Sequence, residues 1–206
     1  MTWIKICGIT NKEDALKAAS LGVDAVGFIF APSPRRVDPS TVEQIVQHLP
    51  PLLLKGGVFV DRDFSEVEKI ANDCQLSFLQ FHGEESPSYC RRFSLPVIKA
   101  FRIKGPESIR NIDLYLGVSI LLDTYHPAKA GGTGDPFPWE IALGLKEKRN
   151  FILSGGLTPE NVGEAVRSLR PFGVDVGSGV ESMPGRKDLS KMVEFVKEVK
   201  RADEKT

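Results

Sequence analysis

Eight short apolar segments recur along this chain, and each is followed by a segment with helical character. The apolar segments are rich in β-branched residues or Phe and are apolar on both faces, which is typical of parallel strands covered by helices. The predicted strands are Trp3 to Ile6, Ala25 to Phe30, Leu54 to Val60, Phe78 to Phe81, Val97 to Phe101, Val118 to Leu122, Phe151 to Leu153 and Val174 to Val176. This alternation predicts a closed (β/α)8 barrel, the TIM barrel fold. The alternative, an open doubly wound sheet, usually carries a G-x-G-x-x-G turn after its first strand, and this sequence has none there.

Capping signals mark the predicted helices. Thr10 and Glu13 form a capping-box pattern before the first helix, and Thr158-Pro159 places a cap residue before a proline at the start of a later one. Asp188 to Lys200 carries an apolar stripe at helical spacing. The polar residues 201–206 are expected to fray. Since no linker or break in composition occurs, residues 1–206 are predicted to form a single domain.

Composition narrows the possible partners. The 27 basic residues balance 27 acidic ones, which argues against binding to nucleic acid or to a membrane surface. No apolar run is long enough to span a bilayer, and no secretory signal opens the chain. Cys7, Cys74 and Cys90 are too widely spaced to suggest a zinc site or a disulfide framework. We therefore expect a cytoplasmic protein with reduced thiols, either a monomer or a homodimer.

In TIM barrels the residues at the carboxyl ends of the strands carry the function. Cys7 follows the first predicted strand and Asp123 follows the sixth. These strands are three steps apart in a ring of eight, so a substrate between them would meet a base on one side and an acid on the other. This arrangement suits proton transfer, whereas a nucleophile and its base must be in direct contact. Structural roles remain open at this stage, a small buried side chain for Cys7 and a loop-bracing carboxylate for Asp123.

Two glycine-rich loops follow the last two predicted strands. One contains Gly155 and Gly156, and the other contains Ser178 and Gly179. Glycines allow backbone N–H groups to approach an anion closely, and the loops after strands seven and eight are the usual phosphate site of this fold. Either loop alone could be an ordinary tight turn between a strand and a helix. The presence of both, after the last two strands, predicts a phosphate site.

Three further polar residues are candidates for the site or its support. Arg36 ends a proline-rich loop after the second strand and could bind a carboxylate through two parallel hydrogen bonds. His82, after the fourth strand, could donate to a substrate or hold its own loop. Lys5 shares a face with Cys7, since side chains alternate along a strand, and therefore points into the barrel. A buried lysine needs a partner, and we predict an ion pair with Asp175 on the neighbouring eighth strand.

Motifs along most of the chain resemble the phosphoribosylanthranilate isomerase family. They are Lys5-Ile6-Cys7-Gly8-Ile9-Thr10, Gly27-Phe28-Ile29-Phe30, Gly57-Val58-Phe59-Val60, Gln80-Phe81-His82-Gly83-Glu84, Leu121-Leu122-Asp123, Gly131-Gly132-Thr133-Gly134, Leu153-Ser154-Gly155-Gly156-Leu157 and Val174-Asp175-Val176-Gly177-Ser178-Gly179-Val180-Glu181. The resemblance extends from Ile4 to about Lys200. The resemblance is interrupted after Gly134, where Asp135 to Trp139 stand in place of a basic residue followed by Phe-Asp-Trp. How the sixth loop closes, and whether it contacts substrate, therefore does not follow from the resemblance.

The resemblance implies an Amadori rearrangement in tryptophan biosynthesis, without metal or organic cofactor. N-(5-phosphoribosyl)anthranilate would become 1-(2-carboxyphenylamino)-1-deoxyribulose 5-phosphate. By the same resemblance Asp123 is the general acid, Cys7 removes the C2 proton, Arg36 holds the anthranilate carboxylate, and the backbones around Gly155-Gly156 and Ser178-Gly179 hold the phosphate. The alternatives are another phosphosugar enzyme of the same fold and a non-catalytic barrel that binds phosphoribosyl ligands.

Overall fold

The computed structural model describes residues 1–124, 139–146 and 149–204. Eight parallel strands close into one barrel in chain order, and β1 returns to pair with β8. The strands are β1 Trp3–Cys7, β2 Ala25–Ile29, β3 Leu54–Phe59, β4 Phe78–Phe81, β5 Val97–Ile103, β6 Ser119–Thr124, β7 Phe151–Leu153 and β8 Gly173–Val176. The predicted barrel and its eight strands are therefore confirmed.

Two site residues lie within strands and not after them. Cys7 is the last residue of β1, where it is in register with Gly27 of β2. Asp123 lies inside β6, in register with Arg102 of β5. Backbone pairing continues one or two residues further than the apolar runs indicated, so both side chains are held by the sheet itself.

Seven α-helices occur among the described residues. They are α1 Lys12–Ser20, α2 Pro39–Val46, α3 Phe64–Asp73, α4 Pro87–Cys90, α5 Glu140–Lys146, α6 Pro159–Leu169 and α7 Leu189–Glu204. Between β5 and β6, two 3-10 turns, Pro106–Ile109 and Ile112–Leu114, replace the helix that strict alternation would supply. A small hairpin of β9 Glu181–Met183 and β10 Arg186–Lys187 follows β8.

Two predictions about the helix ends are wrong. The cap of α1 is Asn11, whose side chain accepts a hydrogen bond of 2.9 Å from the backbone N–H of Asp14. Thr10 instead donates to the carbonyl of Gly185, which ties the first loop to the β9–β10 hairpin. The polar end of the chain is helical through Glu204 because Ala202 is fully buried there, so fraying does not begin at residue 201.

The barrel interior is built in layers because alternate side chains of each strand point inward. One apolar cluster of the interior contains Ala25, Phe78, Ile98, Ala100, Leu121 and Ile152, with Trp3 packed against them. The first strand thus presents Trp3 at the bottom, Lys5 in the middle and Cys7 at the top. A larger apolar core lies between the strands and the surrounding helices. The polar residues of the upper layers therefore rest on a packed floor.

Candidate active site

One cavity occupies the carboxyl-terminal mouth of the barrel. It is open to solvent and encloses about 840 Å³ when the space of its open mouth is counted. Six of the predicted site residues line it, namely Cys7, His82, Asp123, Gly155, Gly156 and Ser178. Arg36 and Gly179, which were also predicted, are not part of the lining. The strands and loops thus bring the two proposed proton-transfer groups and the glycine loops to one cavity.

The Cys7 side chain occupies space left by a glycine on the next strand. A Cβ atom on Gly27 would lie 2.8 Å from Cys7 Sγ and 3.0 Å from Lys5 Cε. Both distances are shorter than an ordinary van der Waals contact, so a larger residue at position 27 would displace these side chains. Burial raises the pKa of the Cys7 thiol, and the ammonium of Lys5 opposes this shift without cancelling it. In the free protein the group is therefore a buried thiol beside a fixed positive charge.

The predicted ion pair between Lys5 and Asp175 is confirmed. The two residues are in register on β1 and β8, and Lys5 Nζ lies 2.8 Å from Asp175 Oδ2. Burial alone would lower the pKa of Lys5, but Asp175 and Cys7 together outweigh burial and the pKa is raised, so Lys5 is an ammonium. The other oxygen, Asp175 Oδ1, is buried without a hydrogen-bond partner among the described residues.

Asp123 is buried, and each of its two oxygens has a hydrogen-bond partner. Its Oδ1 accepts from the backbone N–H of Thr124 at 3.0 Å, and its Oδ2 lies 3.0 Å from His82 Nε2. The seventh loop packs directly against it, because a Cβ on Gly155 would lie 2.7 Å from Oδ1. The carboxyl group is consequently fixed in position from two sides.

The imidazole of His82 has a protein partner at each nitrogen. Besides Asp123 at Nε2, its Nδ1 lies 3.3 Å from Gln80 Nε2. A direct hydrogen bond to substrate, one of the two roles predicted for His82, would require one of these contacts to break, and it stays a prediction. The second prediction for this residue, a supporting role, fits the geometry better.

The seventh loop turns sharply at two glycines. Gly155 and Gly156 have φ angles of 80° and 68°, a region that other residues rarely adopt. Asn161 holds this turn, since its Nδ2 donates to the carbonyl of Gly156 and its Oδ1 accepts from the N–H of Thr158. Within the described residues, neither glycine N–H has a backbone acceptor. Among the described residues, the turn therefore presents two N–H donors without a backbone acceptor at the mouth of the barrel.

The eighth loop begins with a 3-10 turn over Ser178–Val180. Ser178 lines the cavity, whereas Gly179 faces the seventh loop, where any Cβ would collide with the carbonyl of Leu157. Gly179 thus allows the two loops to pack closely, and its side-chain position is not open to a ligand. The two loops predicted to hold the phosphate are thus in contact with each other, and the phosphate site itself stays a prediction.

The two adjacent arginines of the second loop differ in their contacts. Arg36 is exposed, and its Nη2 lies 3.9 Å from Asp38 Oδ1. Arg35 lines the cavity and forms a two-pronged pair with Glu181, with distances of 2.8 Å from Nε and 2.7 Å from Nη2. The carboxylate-binding group predicted at Arg36 therefore lies outside the cavity lining in this structure.

Lys187 of β10 anchors the loops around Cys7. Its buried Nζ donates to the carbonyl of Cys7 at 2.6 Å, to that of Gly177 at 2.9 Å and to Glu181 at 3.1 Å. Burial would raise the pKa of Glu181, but Arg35 and Lys187 together lower it below its ordinary value. Glu181 is therefore ionised and joins the second loop, the eighth loop and the end of β1.

Sequence reasoning missed this anchor and one polar residue of the interior. Gln80 is 1 % exposed and accepts a hydrogen bond of 2.8 Å from Lys5. Its signal was present, because Gln80 and His82 are two residues apart and share a face of β4. Lys187 and its partner Glu181 gave no comparable signal, since the hairpin that joins them was not predicted.

The remaining predictions concern the sixth loop, metal ions and membrane spans. The sixth loop, including Gly131 to Gly134 and the divergent run Asp135 to Pro138, falls in residues 125–138, which are not described. In the described ranges, no three His, Cys, Asp or Glu side chains gather as a metal ion would require. No helix there combines the length and apolarity needed to cross a bilayer.

Comparison with known proteins now identifies the barrel. Residues 4–198 match the family model described as N-(5'phosphoribosyl)anthranilate (PRA) isomerase. The chain belongs to this family. A family member from Geobacter sp. (strain M21), named N-(5'-phosphoribosyl)anthranilate isomerase, is 48% identical over 202 residues, which cover 98% of this chain and 99% of that protein. The resemblance seen in the motifs is thereby confirmed, and the chain is an isomerase of tryptophan biosynthesis.

Solved structures of phosphoribosylanthranilate isomerases have the same architecture. The enzyme from Thermotoga maritima aligns with a TM-score of 0.92 at 41% identity, covering 98% of this chain and 100% of that one. A second structure, of monomers generated from the dimeric enzyme of that organism, has a TM-score of 0.89 at 38% identity, with coverage of 98% and 100%. A third contains reduced 1-(o-carboxyphenylamino)-1-deoxyribulose 5-phosphate and has a TM-score of 0.89 at 40% identity, with coverage of 98% and 100%.

Proposed function

We propose that Cys7 and Asp123 carry out the Amadori rearrangement as base and acid. The observation that carries the proposal is their placement: they extend from β1 and β6 into one cavity, together with the two glycine loops. In the barrel β7 and β8 separate their strands, so a pentose can lie between the two groups. A non-catalytic barrel would have no use for a buried acid and a buried thiol facing one cavity.

Asp123 acts first. It gives its proton to the ribose ring oxygen while the bond from that oxygen to C1 breaks, and the anthranilate nitrogen supplies the electron pair that forms an iminium at C1. The carboxylate that remains accepts from Thr124 N–H and lies beside His82, so its charge is stabilised where it forms. General acid help of this kind is worth about 10²–10⁴-fold in rate.

Cys7 acts second, as its thiolate. It removes the proton from C2, and the electrons of that C–H bond form the C1–C2 double bond and neutralise the iminium. The enolamine then loses the hydroxyl proton at C2 and gains a proton at C1, which gives the ketone. Since burial raises the pKa of the thiol, its thiolate is a strong base, and the positive charge of Lys5 helps it to form.

The phosphate of the substrate lies between the seventh and eighth loops in this proposal. The unused N–H groups of Gly155 and Gly156 and the first turn at Ser178 supply the donors. Gly179 contributes by letting the loops approach each other. Arg36 remains the proposed partner of the anthranilate carboxylate, for which its exposed side chain must leave Asp38 and turn towards the cavity.

Two variants test the proposed roles. Asp123→Asn and Cys7→Ser are each expected to lower turnover at least about a hundredfold while binding of the reduced product analogue persists. Turnover is followed by the loss of phosphoribosylanthranilate fluorescence, and binding by calorimetry. Unchanged turnover in either variant removes that residue from the mechanism, and unchanged turnover in both favours a different site.

The matched controls make the same chemical changes elsewhere. Cys74→Ser alters a buried thiol outside the cavity, and Asp113→Asn alters an exposed carboxylate. Both are expected to keep turnover within about twofold, since neither residue contacts the cavity. Near-equal losses in the controls and the test variants would point to general damage to the fold.

We further propose that the chain works as a homodimer in the cytoplasm. Leu52 and Phe172, which are 93% and 55% exposed, precede β3 and β8 and so lie at the amino-terminal end of the barrel, opposite the cavity. Apolar side chains exposed together favour an interface. The three unpaired cysteines favour a reducing compartment. Sedimentation equilibrium separates a dimer from the single chain of 22.7 kDa.

A further inference from the structure

We infer that Lys5 and Gln80 fix the tautomer of His82, and that through it they keep Asp123 able to carry a proton. A chain of side-chain hydrogen bonds crosses the barrel interior from Asp175 on β8 through Lys5, Gln80 and His82 to Asp123 on β6. Gln80 and Lys5 are positioning residues in this inference, since neither is assigned a contact with substrate. The chemistry of these side chains decides, for each hydrogen bond in the row, which group donates and which accepts.

The direction begins at Lys5, because an ammonium can only donate. Its Nζ is fully buried and lies 2.8 Å from Gln80 Oε1 and 2.8 Å from Asp175 Oδ2. Only the carbonyl oxygen of the Gln80 amide can accept at that place, because the reversed amide would set NH₂ against NH₃⁺. The amide nitrogen must then point the other way, towards His82.

The orientation of the amide decides where His82 carries its proton. Gln80 Nε2 lies 3.3 Å from His82 Nδ1, and an amide nitrogen has only protons to offer. Nδ1 must therefore be unprotonated, and the single ring proton is on Nε2, where it is donated to Asp123 Oδ2 at 3.0 Å. The same contact disfavours the imidazolium, since a proton on Nδ1 would face the protons of the amide.

A neutral His82 matters for the acid. An imidazolium 3.0 Å from Asp123 would stabilise the carboxylate so strongly that it could not hold the proton it has to deliver. A neutral Nε2–H donates to Asp123 without adding a full charge. The backbone of His82 is fixed as well, because Arg102 Nη2 donates to its carbonyl at 2.7 Å. The catalytic consequence rests on the role proposed above for Asp123, whereas the tautomer of His82 does not.

The test is Gln80→Glu, followed by nitrogen NMR of protein labelled at its histidines. The chain has three histidines, and His82 is assigned by loss of its signals in His82→Gln. Near neutral pH, the wild-type protein is expected to show His82 protonated at Nε2 only. In Gln80→Glu the carboxylate still accepts a hydrogen bond from Lys5 but also accepts one from a protonated Nδ1, so both ring nitrogens should carry a proton and turnover should fall at least about tenfold.

Gln47→Glu is the matched control, because it makes the same change at an exposed position at the end of α2. Its His82 signals and turnover are expected to match the wild type. A wild-type His82 protonated at Nδ1, or charged, overturns the inference whether or not the variant folds. A charged His82 in Gln80→Glu with unchanged turnover upholds the hydrogen-bond chain and instead refutes the acid role of Asp123.

Discussion

Replacing Lys5 by methionine tests the charged layer of the barrel most directly. The methionine fills a similar volume but leaves Asp175 buried, 4% exposed, without its positive partner. Asp175 Oδ1 already has no hydrogen-bond partner among the described residues. Without Lys5, little would offset the cost of keeping this carboxylate charged away from water. Breaking a buried pair by removing one partner typically costs about 3–5 kcal/mol in the free energy of unfolding.

Protonation of Asp175 limits the loss in the free energy of unfolding, because the buried carboxylate can take up a proton when its charge becomes too costly. A carboxyl group with an unfolded pKa of about 3.9 can be neutralised for about 4 kcal/mol at pH 7 and for about 1.5 kcal/mol at pH 5. In the variant the folded pKa of Asp175 would be raised, so the charge penalty is present at pH 7 and shrinks as the pH falls towards the unfolded pKa. We therefore expect a loss of about 3–4 kcal/mol at pH 7 and about 2 kcal/mol less at pH 5.

Urea unfolding at the two pH values, followed by tryptophan fluorescence, measures both numbers. Lys17→Met is the control, because Lys17 forms an ion pair with Glu13 on the surface of α1, and such pairs are worth about 0.2–1 kcal/mol. The double variant Lys5→Met/Asp175→Leu should recover most of the loss. A loss below about 1 kcal/mol for Lys5→Met, or one equal at both pH values, would refute this account of the layer.

Two further predictions concern the loops and the thiols. Gly179→Ala forces a Cβ onto the carbonyl of Leu157, so we expect the free energy of unfolding in urea to fall by about 1–3 kcal/mol. Calorimetry should also show weaker binding of inorganic phosphate. Gly177→Ala is the control, because its Cβ meets only Cys7 O at 3.8 Å, and it should keep its stability. Iodoacetamide should inactivate the free enzyme slowly near pH 7 and faster above pH 9, because the pKa of Cys7 is raised. Peptide mapping should then find Cys74, with its pKa of about 12, still unmodified, and rapid inactivation near pH 7 would contradict the assignment.

Much of the fold and part of the site could be predicted from local sequence. Strand period and βα alternation are local signals, and in a barrel of known order they also fix which residues meet. The Lys5–Asp175 pair was predictable for that reason, since an inward lysine on β1 has only two neighbouring strands to find a partner on. The convergence of Cys7, Asp123 and the glycine loops follows from the same geometry.

Other features depend on contacts that no local pattern reveals. Arg35 and Arg36 are adjacent in one proline-rich loop, and only Glu181, far along the chain, decides which of them turns inward. The connection between β5 and β6 forms 3-10 turns although the chain alternates elsewhere, and Arg149 donates there to the carbonyls of Ile112, Tyr115 and Val118. Such long-range partners override helix propensity in short segments.

The pairing of β1 with β8 has a consequence for how the molecule is made. On the ribosome Cys7 emerges long before residues 173–176, and its strand gains its second neighbour only when those residues have emerged. Lys187, which holds the carbonyl of Cys7, arrives later still. The thiol thus lacks this cover while the strands between β1 and β8 are made, and a nascent chain stalled before β8 exposes it to any oxidant in its surroundings.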